Sequence, residues 1–425
     1  MRWATGVLMV AVAVPAAAQQ VEVTLPEAIT RALQVQPLMV QREGEQRSSG
    51  ASRRSARGAF LPEIGVNASA TRNNQPLRIQ GDTTTYPPGY TYSGRLNANI
   101  DLFSGFRRVA NLRAASANLD AAEAGVVTAR FQVTLDTKRM FYDALAAEEL
   151  LRVAESQVRR AQQQLQISVE KLRAGSATRS DSLRSTVDYG NARIALLQAQ
   201  ANLATAQASL GRQIGVDRSI RAVPDTALPA LPDTAVLHAA ELETTPQVQQ
   251  AEAGARAARA QVWSARAQYW PTLNVSYGNT RTGIEDPILP LFANYRETFA
   301  WTFGISWTLV YGFTRERDQV TSGAARDLAE ARAADTRRQA NAELTQLLAA
   351  MATTYEQISI ARANVAAATE DLRVQNERYR VGAATFLDLL TSQTALTEAE
   401  QNLVQTRFNY LIARAEVEAL VGRTL

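Results

Sequence analysis

The hydrophobic positions of this chain repeat with two different periods. Leu151, Val158, Leu165 and Leu172 fall at sevens, each preceded four residues earlier by a small residue: Ala147, Ala154, Ala161 and Ser168. The pattern returns at Ile358, Val365, Leu372 and Tyr379. Two further columns follow, Tyr189, Leu196, Leu203 and Leu210, then Leu396, Leu403, Tyr410 and Val417. Sustained heptads predict long helices packed at shallow angles, and the small column lets neighbours approach closely. From Phe106 to Leu172 there is no proline and only Gly125 as glycine, so one helix of about 100 Å is expected. A helix of that length reaches between compartments or builds a rod.

Elsewhere the period is two. Phe299, Trp301, Phe303, Ile305, Trp307 and Leu309 alternate with Ala300, Thr302, Gly304, Ser306, Thr308 and Val310. Weaker versions are Ile64, Val66, Ala68 and Ala70 after Pro62, then Leu96, Ala98, Ile100 and Leu102, then Leu273, Val275 and Tyr277 after Pro271. The four segments predict strands over about 62–72, 92–103, 271–279 and 299–310. Membrane strands of ~9–11 residues show this alternation. A half-buried sheet packed on helices shows it as well. The heptad helices commit their apolar seams to one another, however, and leave little to cover a face rich in tryptophan. The polar stretches between paired strands, Asn73 to Thr91 and Gly278 to Arg296, suit the outer mouth of a barrel.

A tandem duplication organises these elements. The segment from Leu172 through Gly175 and Thr178 to Asp181 returns from Tyr379 through Gly382 and Thr385 to Asp388, at an offset of 207 (382 − 175). The same offset joins Gly105-Phe106 to Gly312-Phe313 and Gly215 to Gly422, while Pro62 and Pro271 stand 209 apart (271 − 62). The first repeat spans 19–215, with a helical hairpin over about 105–214. A linker over 216–236 carries Pro224, Pro229 and Pro232, and the second repeat spans 237–425 with its hairpin over about 312–421. The expected class is mostly α with membrane β.

Arg2, the apolar run Val7–Val14 and Ala16-Ala17-Ala18 read as a secretory signal over residues 1–18. The 425 residues contain no cysteine, which excludes disulfides and thiolate sites. The net charge of +4, without any basic run interleaved with aromatics, gives no case for nucleic acid. No apolar run beyond the signal reaches the ~18 residues of a spanning helix, so membrane entry would be by strands. No catalytic constellation, cofactor motif or metal spacing is present, and the single histidine, His238, follows the linker without other ligand types at metal spacing.

Four strands cannot close a membrane barrel, since the smallest use about eight. An open sheet in lipid leaves unpaired edges at several kcal/mol per group. Self-association is therefore required, and three copies would give twelve strands around a passage. A soluble periplasmic coiled-coil adaptor or scaffold is the competing expectation. It would not present alternate tryptophans to water.

With these marks in place the chain resembles the TolC-like outer-membrane efflux proteins over its mature length. The resemblance rests on the duplication, the Gly-Phe turns and the hairpin tips Arg173–Asp181 and Tyr379–Asp388. It implies a homotrimer with a 12-stranded β-barrel, four strands per protomer, continued by a long α-helical barrel from the outer membrane and its lipid into the periplasm. It also implies a passive exit duct for efflux or type I secretion, served by a periplasmic adaptor (membrane fusion protein) and an inner-membrane transporter. Asp181, Tyr379 and Asp388 fall on the family's periplasmic gate. Gly175, Ser176, Val381, Gly382 and Ala383 fall on its adaptor-contact tips. Two gate positions depart from the family, which has arginine and aspartate where this chain has Ala384 and Thr391. Read from the residues alone, Asp181 and Asp388 are also good helix N-terminal carboxylates, Gly175 and Gly382 good left-handed terminators, and Tyr379 a packing residue.

Overall fold

A computed structural model describes residues 21–72, 77–79, 83–85, 91–218, 220–224, 228–232, 245–283 and 296–425. The signal expected over 1–18, most of both outer loops and His238 lie outside the described residues. In chain order the elements are β1 (Val21–Val23), α1 (Leu25–Val35), α2 (Pro37–Gly58), β2 (Glu63–Thr71), β3 (Leu77–Ile79), β4 (Thr83–Thr85) and β5 (Thr91–Ser104). Then follow α3 (Arg107–Arg173), α4 (Arg179–Ile214), β6 (Ile220–Ala222), α5 (Pro246–Arg266), β7 (Thr272–Gly283), β8 (Arg296–Ser306), α6 (Thr314–Arg380) and α7 (Phe386–Val421). The duplication is visible in the lengths: α3 and α6 each have 67 residues, α4 and α7 each 36.

The chain forms two compact units. One comprises the described residues up to Arg42, with Val126–Pro246 and Gln339–Leu425. Its centre is a short parallel pair, β1 on β6, packed with Ala28, Phe141, Leu210 and Ile214. A second cluster gathers Leu344, Met351, Ile358, Tyr410 and Val417. The Tyr410 hydroxyl donates to the Pro229 carbonyl at 3.0 Å and so ties the linker to this cluster. Along α3 the small column lies deepest: Ala154, Ala161 and Ser168 are buried, while Leu151, Val158 and Leu165 are half-buried. Ser168 and Ser185 join α3 to α4 through their hydroxyls, 2.8 Å apart. Four ion pairs join α3 to α7: Lys138–Glu418, Arg139–Glu416, Glu149–Arg407 at 3.1 Å and Arg160–Glu400 at 3.1 Å.

The other unit, Glu43–Gly125 with Gln247–Arg338, holds an antiparallel sheet of order β2-β5-β7-β8. The register places Val66 opposite Leu96, Ala98 opposite Tyr277, and Tyr277 opposite Trp301. The apolar sets of all four strands therefore share one face, and Asn67, Asn97, Ser276 and Thr302 share the other. Two local departures from simple alternation have physical causes. A bulge between Asp101 and Phe103 sets Leu102 out of register and brings Phe103, not Leu102, opposite Leu273. Strand β8 stops at Ser306, opposite Thr272, because the next residue of β7 would be Pro271, which has no N–H to extend the ladder. Trp307 and Leu309 thus lie beyond the strand whose alternation they continue.

Candidate functional site

Two regions carry the residues singled out above. The first is the pair of hairpin tips. Helix α3 ends in two bonds, Ser176 N–H to the Lys171 carbonyl at 2.9 Å and Gly175 N–H to the Leu172 carbonyl at 3.0 Å. Helix α6 ends in the same way, with Ala383 bonded to Arg378 and Gly382 to Tyr379. Both are Schellman closures, which need a left-handed residue. Gly175 and Gly382 supply it at φ 75° and 79°. No neighbour lies within 4 Å of a Cβ at either position, so conformation and not crowding requires glycine.

The next helix begins at once. Thr178 accepts from the Asp181 N–H at 3.2 Å, and the Asp181 carboxylate takes the Thr178 N–H at 3.2 Å and its hydroxyl at 2.7 Å. Thr385 and Asp388 repeat this reciprocal cap at 3.2, 2.9 and 2.8 Å. The Thr385 backbone N–H, with the Thr385 hydroxyl, holds the exposed Asp388 carboxyl below its ordinary value of 3.8. Tyr379 is 7% exposed and packs with Leu372, Phe386 and Leu389, with Ala384 against the same cluster. Thr391 turns its hydroxyl back to the Leu387 carbonyl at 2.9 Å. Ser176, Val381 and Ala383 sit in the exposed turns.

A residue absent from the sequence reading completes this region. The Lys171 ammonium lies 3.8 Å from the centre of the Tyr379 ring and donates to the Tyr379 carbonyl at 2.5 Å. That carbonyl belongs to the last turn of α6 and also accepts from the Gly382 N–H, and the helix dipole there favours a cation. One side chain of the first tip therefore caps the helix of the second. Lys171 stands 208 residues from its partner, and in sequence it reads only as a basic last-turn residue of its own helix. Lys171→Met should speed amide hydrogen exchange across 379–385 by about threefold to thirtyfold, given ~0.5–2 kcal/mol for a cation over an aromatic face. Unchanged exchange there would assign the contact no holding role.

The second region is the strand face. Phe299, Trp301, Phe303 and Ile305 on β8 are between 62 and 75% exposed, as are Ile64 and Val66 on β2. Toward the loop end of the same face Glu297 meets Asn279 at 2.6 Å and Arg281 at 3.3 Å. The apolar band is thus bounded by a polar cluster at one end and by the aromatic residues after Ser306 at the other. Among the described residues no helix is long and apolar enough to cross a membrane.

The sequence pattern of the outer membrane efflux proteins matches residues 28–216 and 237–423, nearly all of the chain. The chain belongs to the outer membrane efflux protein family. It is similar to protein CyaE of Bordetella pertussis, 27% identical over 402 residues covering 90% of this chain and 80% of that protein. It is also similar to the toluene efflux pump outer membrane protein TtgC of Pseudomonas putida, 24% identical over 87% of this chain and 76% of that one. The fold matches the outer membrane protein VceC of Vibrio cholerae with a TM-score of 0.81, at 20% identity, covering 94% of this chain and 96% of that one. As a member of this family the protein is an outer-membrane efflux channel that reaches into the periplasm, and its TolC-like character agrees with the duplication and the tips. A free periplasmic scaffold is set aside by the same match.

Proposed function

We propose that three copies of this chain close a 12-stranded barrel and a helical tunnel, forming the passive exit duct of a tripartite efflux or type I secretion system. The observation that carries this is the sheet order: the outer edges of β2 and β8 have no partner strand among the described residues. In lipid each unpaired backbone group costs several kcal/mol, and edge-to-edge joining of copies removes the cost. Helix α4 adds a second reason, since Leu183, Val187, Ile194 and Leu197 form an exposed apolar stripe at helical spacing. The polar strand face lines the passage, and Phe299, Trp301, Phe303 and Ile305 meet lipid. The tips around Gly175, Ser176, Val381, Gly382 and Ala383 receive a periplasmic adaptor, which passes on cargo from an inner-membrane transporter. Asp181, Tyr379 and Asp388 form the periplasmic gate, and Lys171 stands where it holds the two tips of one copy together. The chain has no chemical step to perform. Mass measurement of the detergent-solubilised assembly should return three copies, with single-channel conductance in planar bilayers. A monodisperse single copy would overturn the duct.

Asp388 supplies a charge test. In bilayer recordings Asp388→Ala should weaken block by multivalent cations added on the periplasmic side, by about tenfold. The parental block should persist as pH falls through 3.8, because the capped carboxyl titrates below that value and stays ionised until lower pH. The stabilisation from the ionised cap follows the same sign, full above the unfolded value and lost as pH falls through the native one. Block unchanged by the substitution would place Asp388 off the ion path.

A further inference from the structure

Below the sheet an apolar groove of about 410 Å³ runs between α3 and α5, lined by Phe106, Val109, Arg113, Trp263, Arg266 and Trp270. Its walls continue the lipid-facing side of the strands. Phe103 shares that face with Leu273 and Ile305 by register. The Phe106 ring meets Phe103 edge-on at 5.3 Å, and Trp270 meets Phe106 at 6.3 Å. An unbroken aromatic path therefore leads from the membrane face into the groove. Two exposed guanidinium groups also line it. Arg266 lies 5.5 Å over the Trp263 ring, and neither it nor Arg113 is paired with a carboxylate among the described residues. Apolar walls next to lipid with two unneutralised cations among them match an acyl chain with an anionic headgroup.

A second copy does not explain the groove. Copies join at the sheet edges β2 and β8, whereas α3 follows β5 and α5 leads into β7, the two central strands. The repeat comparison also separates this place from its counterpart. The residues 209 before Trp263 and Trp270 are Arg54 and Leu61, and the residue 207 after Arg113 is Val320. Arg266 is matched by Arg57, but the two tryptophans and Arg113 occur once per chain.

We infer that this groove binds an anionic phospholipid of the periplasmic leaflet, its tail against Phe106 and Trp270 and its phosphate between Arg113 and Arg266. The inference rests on the outer-membrane reading and adds a lipid preference to it. To test it, the full-length assembly is placed in vesicles of phosphatidylethanolamine containing brominated phosphatidylglycerol, or brominated phosphatidylethanolamine at equal mole fraction. Trp263 and Trp270 are kept together as the groove reporters by W3F, W301F and W307F, and Trp301 is isolated in a sister variant by W3F, W263F, W270F and W307F. The groove tryptophans should be quenched at least about twofold more by the brominated phosphatidylglycerol, and Arg113→Gln with Arg266→Gln should erase the difference. Trp301 should be quenched equally by both lipids. Equal quenching of the groove tryptophans by the two lipids, or no quenching there while Trp301 responds, overturns the inference alone. A silent Trp301 would overturn the membrane placement itself. As a measurement that keeps the tryptophans, native mass spectrometry of the parental assembly should retain phosphatidylglycerol, and the double arginine variant should lose it; equal retention counts against the site.

Discussion

Phe303→Arg is expected to remove at least nine-tenths of the assembled protein from the outer-membrane fraction. Phe303 lies mid-band on β8, between Trp301 and Ile305, and is 73% exposed within one copy. An arginine near the bilayer midplane on a strand's lipid face costs about 2–4 kcal/mol, and every copy in the assembly would carry it. Thr302→Arg is the control. Thr302 pairs with Ser276 on the opposite, polar face, so it should leave the assembled amount within about twofold while altering ion selectivity in bilayer recordings. Fractionation followed by unheated gel electrophoresis reads both. Parental amounts of F303R oligomer would mean that this face is covered by protein and not by lipid.

Gly105→Ala should likewise prevent most of the protein from assembling. Both strand-to-helix turns use consecutive left-handed residues, Gly105 at φ 61° with Phe106 at 67°, and Gly312 at 54° with Phe313 at 59°. A methyl group at either glycine meets the same conformational cost, ~1–2 kcal/mol. Crowding is added at Gly105. A Cβ there would sit 2.4 Å from the Ala267 carbonyl oxygen and 2.8 Å from the Trp270 Cβ. The Ala267 oxygen is backbone just past α5, and it can yield only by shifting the entry to β7. G105A should therefore not assemble in quantity, read by the same fractionation and unheated gel electrophoresis. Parental amounts of G105A oligomer would show that the turn after α5 moves more freely than its packing suggests.

What could be read from the sequence was what repeats locally. The heptads, the tip glycines and the period-two strands are set by residues within one or two turns, and an ungapped duplication doubled each signal. The capping of α4 and α7 by Thr178–Asp181 and Thr385–Asp388 is three residues long and equally local. Contacts between distant segments left no such trace. Nothing near Lys171 announces that its ammonium closes the end of a helix 208 residues away. The bulge at Leu102 arises from pairing with β7, and alternation within β5 alone does not show that Phe103 takes the place opposite Leu273. The end of β8 was hidden for a related reason: the proline that stops it sits on the partner strand. Which heptad column lies deepest also depends on the neighbour, since alanines line the bottom of the seam on α3 while Ile358, Leu372 and Tyr379 do so on α6.

The four carboxylate–guanidinium or carboxylate–ammonium contacts between α3 and α7 have no counterpart when both partners are moved along the duplication. Shifted by 207 residues, Arg160 and Glu400 become Ala367 and Arg193, and Lys138 and Glu418 become Thr345 and Gly211. Arg139 with Glu416 becomes Gln346 with Ser209, and Glu149 with Arg407 becomes Glu356 with Gln200. In a closed ring the α3–α7 seam inside each copy would then carry ionic contacts on top of its apolar packing, and its counterpart between copies would lack them. Concentrated sodium chloride should therefore loosen the first seam and leave the second unchanged.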